Sequence, residues 1–294
     1  MTKKKVLILG PSSQIGKSLC EENSTHIEFI EAPRAKIDLE NLDLIKEFII
    51  NHCPEIVINC AAYTNVDLAE DERSLCNTIN SEAVDEIIKG CNETRATLIH
   101  FSTDYIYDGE AKNPYLESSV PHPLSSYGNS KLSGDSLIEK HCCNFLIFRI
   151  SWIYGIHNNN FLKAIYKKII NGDNLRVVDD QIGSPTSSGL VAKTIINIIE
   201  NYDLSQKKEV FNLQPKGSAS WFEFANFIND NLDNSKKLSV ANISPVSSEE
   251  FISKATRPKY SLLNTRKLEE TFQIHLNYWQ DYALKEIKRL TQNG

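Results

Sequence analysis

The sequence predicts an α/β protein, a doubly wound parallel sheet with a smaller mixed α/β domain attached. Three observations predict it. Short β-rich runs alternate with segments of helical periodicity through the first 150 residues. Several of these runs are almost continuously apolar, as strands covered on both faces must be. The first run ends at a glycine that leads straight into a helix, which is how a strand–turn–helix unit of such a sheet begins.

Lys5 to Leu9 reads as the first buried strand and Gln14 to Glu21 as the helix behind it. His26 to Ile30 is the second strand. Leu42, Ile45, Phe48 and Ile49 recur at helical spacing and predict a helix over 42–51. Glu55 to Cys60 is the third strand, followed by a helix over 81–91, a strand over 97–102, a helix over 126–140 and a strand over 144–150. Beyond residue 150 the alternation loosens. Helices are expected over 161–171 and 187–200, and a strand over 209–213 that can return to the sheet. From Gly217 onward, mixed helices and irregular stretches rich in Ser and Asn follow.

Size and charge narrow the function. A chain of 294 residues suits one large domain, or a nucleotide domain with a smaller partner. Its net charge of −6 argues against grip on a phosphate backbone, so no nucleic-acid partner is expected. The basic start, Met1 to Lys5, is followed by an apolar run that stops at Gly10, too short for a signal-peptide core. No stretch approaches a membrane span, so no membrane contact and a cytoplasmic location are expected. The seven cysteines are odd in number and form no Cys-x-x-Cys pair. Neither a disulfide framework nor a zinc site is expected, and no metal is assigned.

The first strand runs into Gly10-Pro11-Ser12-Ser13-Gln14-Ile15-Gly16. Such a turn aims backbone N–H groups and a helix N-terminus at one point, which favours a diphosphate. Gly10 permits the tight turn and Gly16 the close packing of helix on strand. Ser13 stands where a Gly-x-x-Gly-x-x-Gly pattern has its central glycine, adding a hydroxyl and bulk. The unit is therefore read as a Rossmann-type dinucleotide site for NADPH or NADH. Glu31 to Arg34, at the end of the second strand, offers both charge signs, so both cofactors remain compatible. Asp38 and Leu39 can flank the adenosine, or Asp38 is a solvated surface carboxylate. Ala61 and Ala62 are small enough for a flat ligand to lie against the backbone at the third strand's carboxyl end.

Two features carry the chemistry. Ser102-Thr103-Asp104 ends the fourth strand, and Tyr127-Gly128-Asn129-Ser130-Lys131 opens a helix. Tyr127 and Lys131, at i and i+4, share a helix face. A free phenol has a pKa near ~10, and a neighbouring ammonium is expected to lower it. The same ammonium can reach ribose hydroxyls, while Thr103 holds a carbonyl oxygen. Tyr-x-x-x-Lys alone is commonly a surface pair. The order of glycine turn, Ser-Thr and Tyr-x-x-x-Lys, each in its proper element, points to ketone reduction with Tyr127, Lys131 and Thr103 as catalytic residues. The expected division is a nucleotide-binding domain over 1–150 with a return segment near 187–214, and a substrate-binding domain over 151–186 and 215–294.

At these residues the chain resembles the extended short-chain dehydrogenase/reductase superfamily, and within it the dTDP-4-dehydrorhamnose reductases. The resemblance runs nearly end to end. It is carried by Gly10 to Gly16, Pro54 to Asp67, Phe101 to Gly109, Tyr127 to Gly134, Arg149 to Gly155, Val177 to Thr186, Arg257-Pro258 and Leu263 to Leu268. It implies reduction of the C4 ketone of a dTDP-6-deoxy-hexulose, with a dTDP-sugar as substrate. It implies Ser13, Gln14, Ile15, Asp38, Leu39, Ala62, Tyr63 and Thr64 around the cofactor, and Thr103, Asp104 and Trp152 at the sugar. Arg257 can pair with the nucleotide diphosphate. Trp152 can pack its face on a deoxysugar ring, or is a core tryptophan. Some relatives hold a carboxylate two residues after the glycine matching Gly16, in a metal-bridged dimer. Ser18 occupies that position here, so the metal is not carried over, while a homodimer remains an expectation.

Two other readings stand beside this one. Dehydratases of the same fold need an acid and a base beyond the tyrosine, typically Asp-Glu after the threonine, and here Tyr105 follows Asp104. Epimerases retain their cofactor through turnover. A non-catalytic regulatory subunit of the same fold is the third reading, against which the intact Thr103, Tyr127 and Lys131 argue.

Overall fold

The computed structural model describes residues 3–233, 242–251 and 253–292. The extreme ends of the expected domains, and residues 234–241 and 252 of the second, lie outside these. The strands are β1 (Lys4–Leu9), β2 (Ile27–Ala32), β3 (Ile56–Asn59), β4 (Thr97–Thr103), β5 (Phe145–Ile150), β6 (Ile153–Tyr154), β7 (Leu175–Val178), β8 (Ile182–Gly183), β9 (Thr186–Ser187), β10 (Lys208–Leu213), β11 (Ala219–Ser220) and β12 (Ile243–Val246). The helices are α1 (Gln14–Glu21), α2 (Leu42–His52), α3 (Arg73–Asn77), α4 (Ala83–Thr94), α5 (Ser126–His141), α6 (Phe161–Asn171), α7 (Ser188–Asn201), α8 (Trp221–Asp230), α9 (Arg266–Phe272) and α10 (Trp279–Gln292).

Six strands form one sheet in the order β10-β5-β4-β3-β1-β2, with every neighbouring pair parallel. The order reverses between β1 and β3, and ligands bind beyond the strand ends at such a switch point. Alternate residues of one strand serve opposite faces. Val6 and Ile8 pack with α1, α7 and α9, while Leu7 and Leu9 pack with α2, α4 and α5. Both faces are thereby dry, which is why the strands read as unbroken apolar runs. A separate core joins Tyr154, α6, Leu175, Val177, α8 and α10.

Two differences from the expectations have physical causes. The helix expected to start at Ser81 is preceded by α3 and by a wide π-type turn over Thr78–Glu82 that joins α3 to α4. The extra residue in that turn breaks the 3.6 periodicity. It also lets α5 come close: a Cβ on Gly134 would sit 2.3 Å from the Asn80 carbonyl oxygen. Second, Leu268, Phe272 and Leu276 bury beside Phe211 in the sheet-side core. The α9 segment thus packs with the sheet, although it lies inside the range expected for the second domain.

Candidate active site

The crevice opens at the carboxyl ends of β1, β3 and β4 and encloses about 860 Å³. Its floor is the glycine turn. Gly10 adopts φ +71°, and any Cβ there would lie 2.8 Å from the Ala61 Cβ. Gly16 is pressed against the Gly10 carbonyl, at 2.4 Å from an added Cβ. Both positions therefore require glycine, and together they leave a cradle that a flat, anionic group can approach. The Ser13 hydroxyl accepts the Gly16 N–H at 3.0 Å and caps α1. That is a reason for a serine where the pattern has glycine. From the second unit, Asn158 donates to the Ser12 carbonyl at 2.8 Å and Asn160 to Gln14 Oε1 at 3.1 Å.

The reacting end is built by β4 and α5. Ser125 caps α5 by accepting the Gly128 N–H at 3.1 Å, and Glu70 accepts the Ser126 N–H and hydroxyl, each at 2.7 Å. These contacts fix where Tyr127 enters the crevice. Thr103 ends β4, donates to Asp104 Oδ1 at 3.1 Å and accepts the Tyr105 N–H at 3.2 Å. Burial pushes the Tyr127 phenol above its ordinary range, and the nearby Thr103 hydroxyl opposes this. Lys131, expected to lower it, is not among the principal influences on the phenol. The Lys131 nitrogen lies 2.9 Å from His100 Nε2 of β4. Burial takes Lys131 down to about 8. Burial also raises Asp104 to about 7, against the Ser261 and Thr103 hydroxyls, which favour its charged form.

Aromatic residues form the opposite wall. Trp152 stacks on Trp221, which in turn meets Phe161 at 4.6 Å between centroids. Trp152 sits at φ +48°, a left-handed backbone that a tryptophan holds only when its surroundings enforce it. Gly183 supplies one such constraint, because an added Cβ would be 2.4 Å from the indole Cε2. Arg257 lines the crevice with its guanidinium on Asp67, Nη2 to Oδ2 at 2.7 Å and Nη1 to Oδ1 at 3.2 Å. The pair holds the Asp67 carboxyl down at about 2 against burial, which pushes the other way.

Of the residues singled out in the sequence, Gly10, Ser13, Gln14, Ile15, Asp38, Leu39, Ala62, Thr64, Thr103, Asp104, Tyr127, Lys131, Trp152 and Arg257 all line this crevice. Gly16 and Tyr63 do not. Gly16 lies behind the turn. Tyr63 turns its hydroxyl away to Glu72 at 2.8 Å, while Asn80 pins its backbone N–H and carbonyl at 2.9 and 3.0 Å. Arg34, at the end of the segment that offers both charge signs, also lines the crevice. Sequence reasoning missed Trp221 and Phe161 in the wall, and Asn59, His100 and Asp135 beneath Lys131. A tryptophan right after a Ser helix cap was the available signal for Trp221. A histidine inside a buried strand was the signal for His100. Among the described residues no group of three His, Cys, Asp or Glu is placed to hold a metal ion.

The chain is similar to known proteins along nearly its whole length. Residues 4–292 match the family model described as the RmlD substrate binding domain. The dTDP-4-dehydrorhamnose reductase of Aggregatibacter actinomycetemcomitans is 33% identical over 289 residues, 97% of this chain and 98% of that protein. The spore coat polysaccharide biosynthesis protein SpsK of Bacillus subtilis is 32% identical over 283 residues, 96% of each. The crystal structure of dTDP-4-dehydrorhamnose reductase from Bacillus anthracis in complex with NADP superimposes with a TM-score of 0.90 at 31% identity, covering 100% of both chains.

Proposed function

The chain belongs to the RmlD substrate-binding domain family, and from that premise we propose that it reduces the C4 ketone of dTDP-4-dehydro-L-rhamnose to dTDP-L-rhamnose with NADPH or NADH. One observation carries the assignment of roles: Thr103, Tyr127 and Lys131 converge on one crevice, beside a cradle where Gly10 and Gly16 leave no room for side chains.

The Gly10–Gly16 turn and the α1 N-terminus hold the cofactor diphosphate. When bound, the reduced nicotinamide supplies hydride for C4 of the sugar. Tyr127 gives its hydroxyl proton to the ketone oxygen as negative charge develops there. Its raised proton affinity keeps the phenol protonated until then. Thr103 hydrogen-bonds the same oxygen and fixes its distance from the phenol. Lys131 reaches the ribose hydroxyls from below. Asp104, which lines the crevice, binds a sugar hydroxyl. Arg257 takes the nucleotide diphosphate, in exchange for Asp67.

The two units are divided as 1–150 with 187–214, and 151–186 with 215–294, with 266–276 assigned to the sheet side. No helix among the described residues is long and apolar enough to cross a membrane. A cytoplasmic location is part of the same reading, supported by seven unpaired thiols. The test is to mix the folded chain with NADPH or NADH and the 4-keto-L-rhamnose nucleotide. Oxidation of the cofactor with dTDP-L-rhamnose identified by NMR is expected; no oxidation by a folded chain would overturn the proposal.

A further inference from the structure

We propose that His100 is a positioning residue for Lys131: it directs an Nε2–H at the lysine nitrogen, so that on the alkaline side of neutrality Lys131 stands as a neutral amine in the free protein and takes up a proton from solvent when the cofactor ribose arrives. This depends on Lys131 being the cofactor-side lysine, as proposed.

His100 lies on β4, 1% exposed, beneath the crevice. Its Nε2 is 2.9 Å from Lys131 Nζ and its Nδ1 is 3.3 Å from Asn59 Nδ2. A neutral imidazole carries one N–H, and its partners decide which nitrogen holds it. Here Asn59 decides. Its Oδ1 accepts the Ala61 N–H at 3.1 Å, so turning the amide round would set two donors against each other. Asn59 Nδ2 therefore donates, Nδ1 accepts, and the ring hydrogen is on Nε2. An ammonium at Lys131 would meet that N–H donor to donor. An amine accepts it. Burial drives the imidazole well below its ordinary range, which disfavours a doubly protonated ring. Burial acts on Lys131 in the same direction.

The groups facing Lys131 come from three elements. His100 is on β4, Asp135 lies one turn further along α5, and the Cys76 thiol of α3 is 3.1 Å from the Ser130 hydroxyl. Arg149 on β5 faces Asp135 from behind. Asp135 is fully buried; its Oδ2 accepts the Ser102 hydroxyl, and its Oδ1, 3.9 Å from His100 Nε2, accepts nothing. That carboxyl favours the ammonium once ribose oxygens offer the lysine its hydrogen-bond acceptors. On the alkaline side of neutrality the cation then appears only when the cofactor is in place.

The test uses the full chain with ¹⁵N-labelled histidine, the His100 signal being identified by its loss in His100→Gln. The shifts expected are those of a neutral Nε2–H ring that does not titrate between about pH 6 and 9. An Nδ1–H ring or an imidazolium would overturn the proposal. Calorimetric titration with NADPH in buffers of different ionisation enthalpy should show uptake approaching one proton per site at about pH 9, falling toward zero at about pH 7. In Asn59→Asp the carboxylate accepts from Nδ1–H, Nε2 becomes the acceptor, and uptake should vanish. Binding without uptake in the unaltered chain, or persistent uptake in folded Asn59→Asp, overturns the proposal alone. No NADPH binding at all overturns the cofactor reading beneath it.

Discussion

Trp152 and Trp221 lie face to face, with ring centroids 3.5 Å apart and planes 4° from parallel. The stack ties the segment after β5 to the first residue of α8, so the crevice wall is made by two pieces of chain nearly 70 residues apart in sequence. It also bears on the expectation that a sugar ring packs on the Trp152 face. One side of that indole meets Trp221 and another part meets Gly183, so a sugar gains the Trp152 face only where Trp221 gives way.

Gly183→Ala tests this wall. The added methyl must displace the Trp152 indole, which it would otherwise meet at 2.4 Å. A shift of this size costs on the order of 10²-fold when it misplaces a reacting group. Steady-state kinetics should show kcat/KM for the sugar nucleotide falling by about 10–100-fold, while the dissociation constant for NADPH changes by less than about 2-fold. Equal loss in both would place Trp152 in the general core.

Tyr127→Phe removes the proton donor and keeps the ring, including its edge contact with Tyr105 at 5.5 Å. Turnover should fall by ~10²–10⁴-fold with cofactor affinity little changed. A variant with normal turnover would require another proton source.

Gly16→Ala drives a methyl into the Gly10 carbonyl and the Pro11 backbone. Overpacking of this kind costs about 1–3 kcal/mol. Because the turn itself must move, weaker NADPH binding is expected together with a lower Tm. Fluorescence titration and calorimetry on one sample separate the two effects.

The pH dependence of stability has a definite sign. Asp104 is raised to about 7 and Asp135 to about 6, both by burial. Between about pH 4 and 7 the folded chain keeps these protons while the unfolded chain has released them, so stability falls as pH rises through that window. Asp67 acts oppositely, but only at lower pH. Its carboxyl is held down at about 2, so its contribution is lost as pH falls below about 4. Asp104→Asn should flatten the loss of Tm between about pH 4.5 and 7.5. An unchanged slope would mean Asp104 is ionised without penalty.

Much of this was legible in the sequence, for local reasons. The bounds of α1 and α6 follow from caps the sequence displays: Ser13 before α1, and Asn160 and Gly172 around α6. The crevice residues sit at strand ends and helix starts, where pattern and turn chemistry place them. What stayed hidden depends on pairings between distant segments. Ser13 reads as a defect until its hydroxyl is seen to cap its own helix. Tyr63 lies between two crevice residues in sequence, yet Asn80, seventeen positions on, turns it outward. The expected Tyr127–Lys131 coupling rested on shared helix face alone, and a strand residue competes for the lysine.

The edge position of β10 has a consequence for how the chain is made. The sixth strand, and α7 and α9 that cover one face together with α1, come after β6, α6 and β7 of the second unit in sequence. While residues 1–150 leave the ribosome, Leu146 and Phe148 lack the α7, β10 and α9 part of their core, and the edge of β5 lacks its partner strand. Such an edge invites pairing with another nascent chain. Synthesis must therefore run some sixty residues further, to Leu213, before that edge is closed. A fragment ending at residue 150 should aggregate, although it contains the entire glycine turn and every residue of the reacting end.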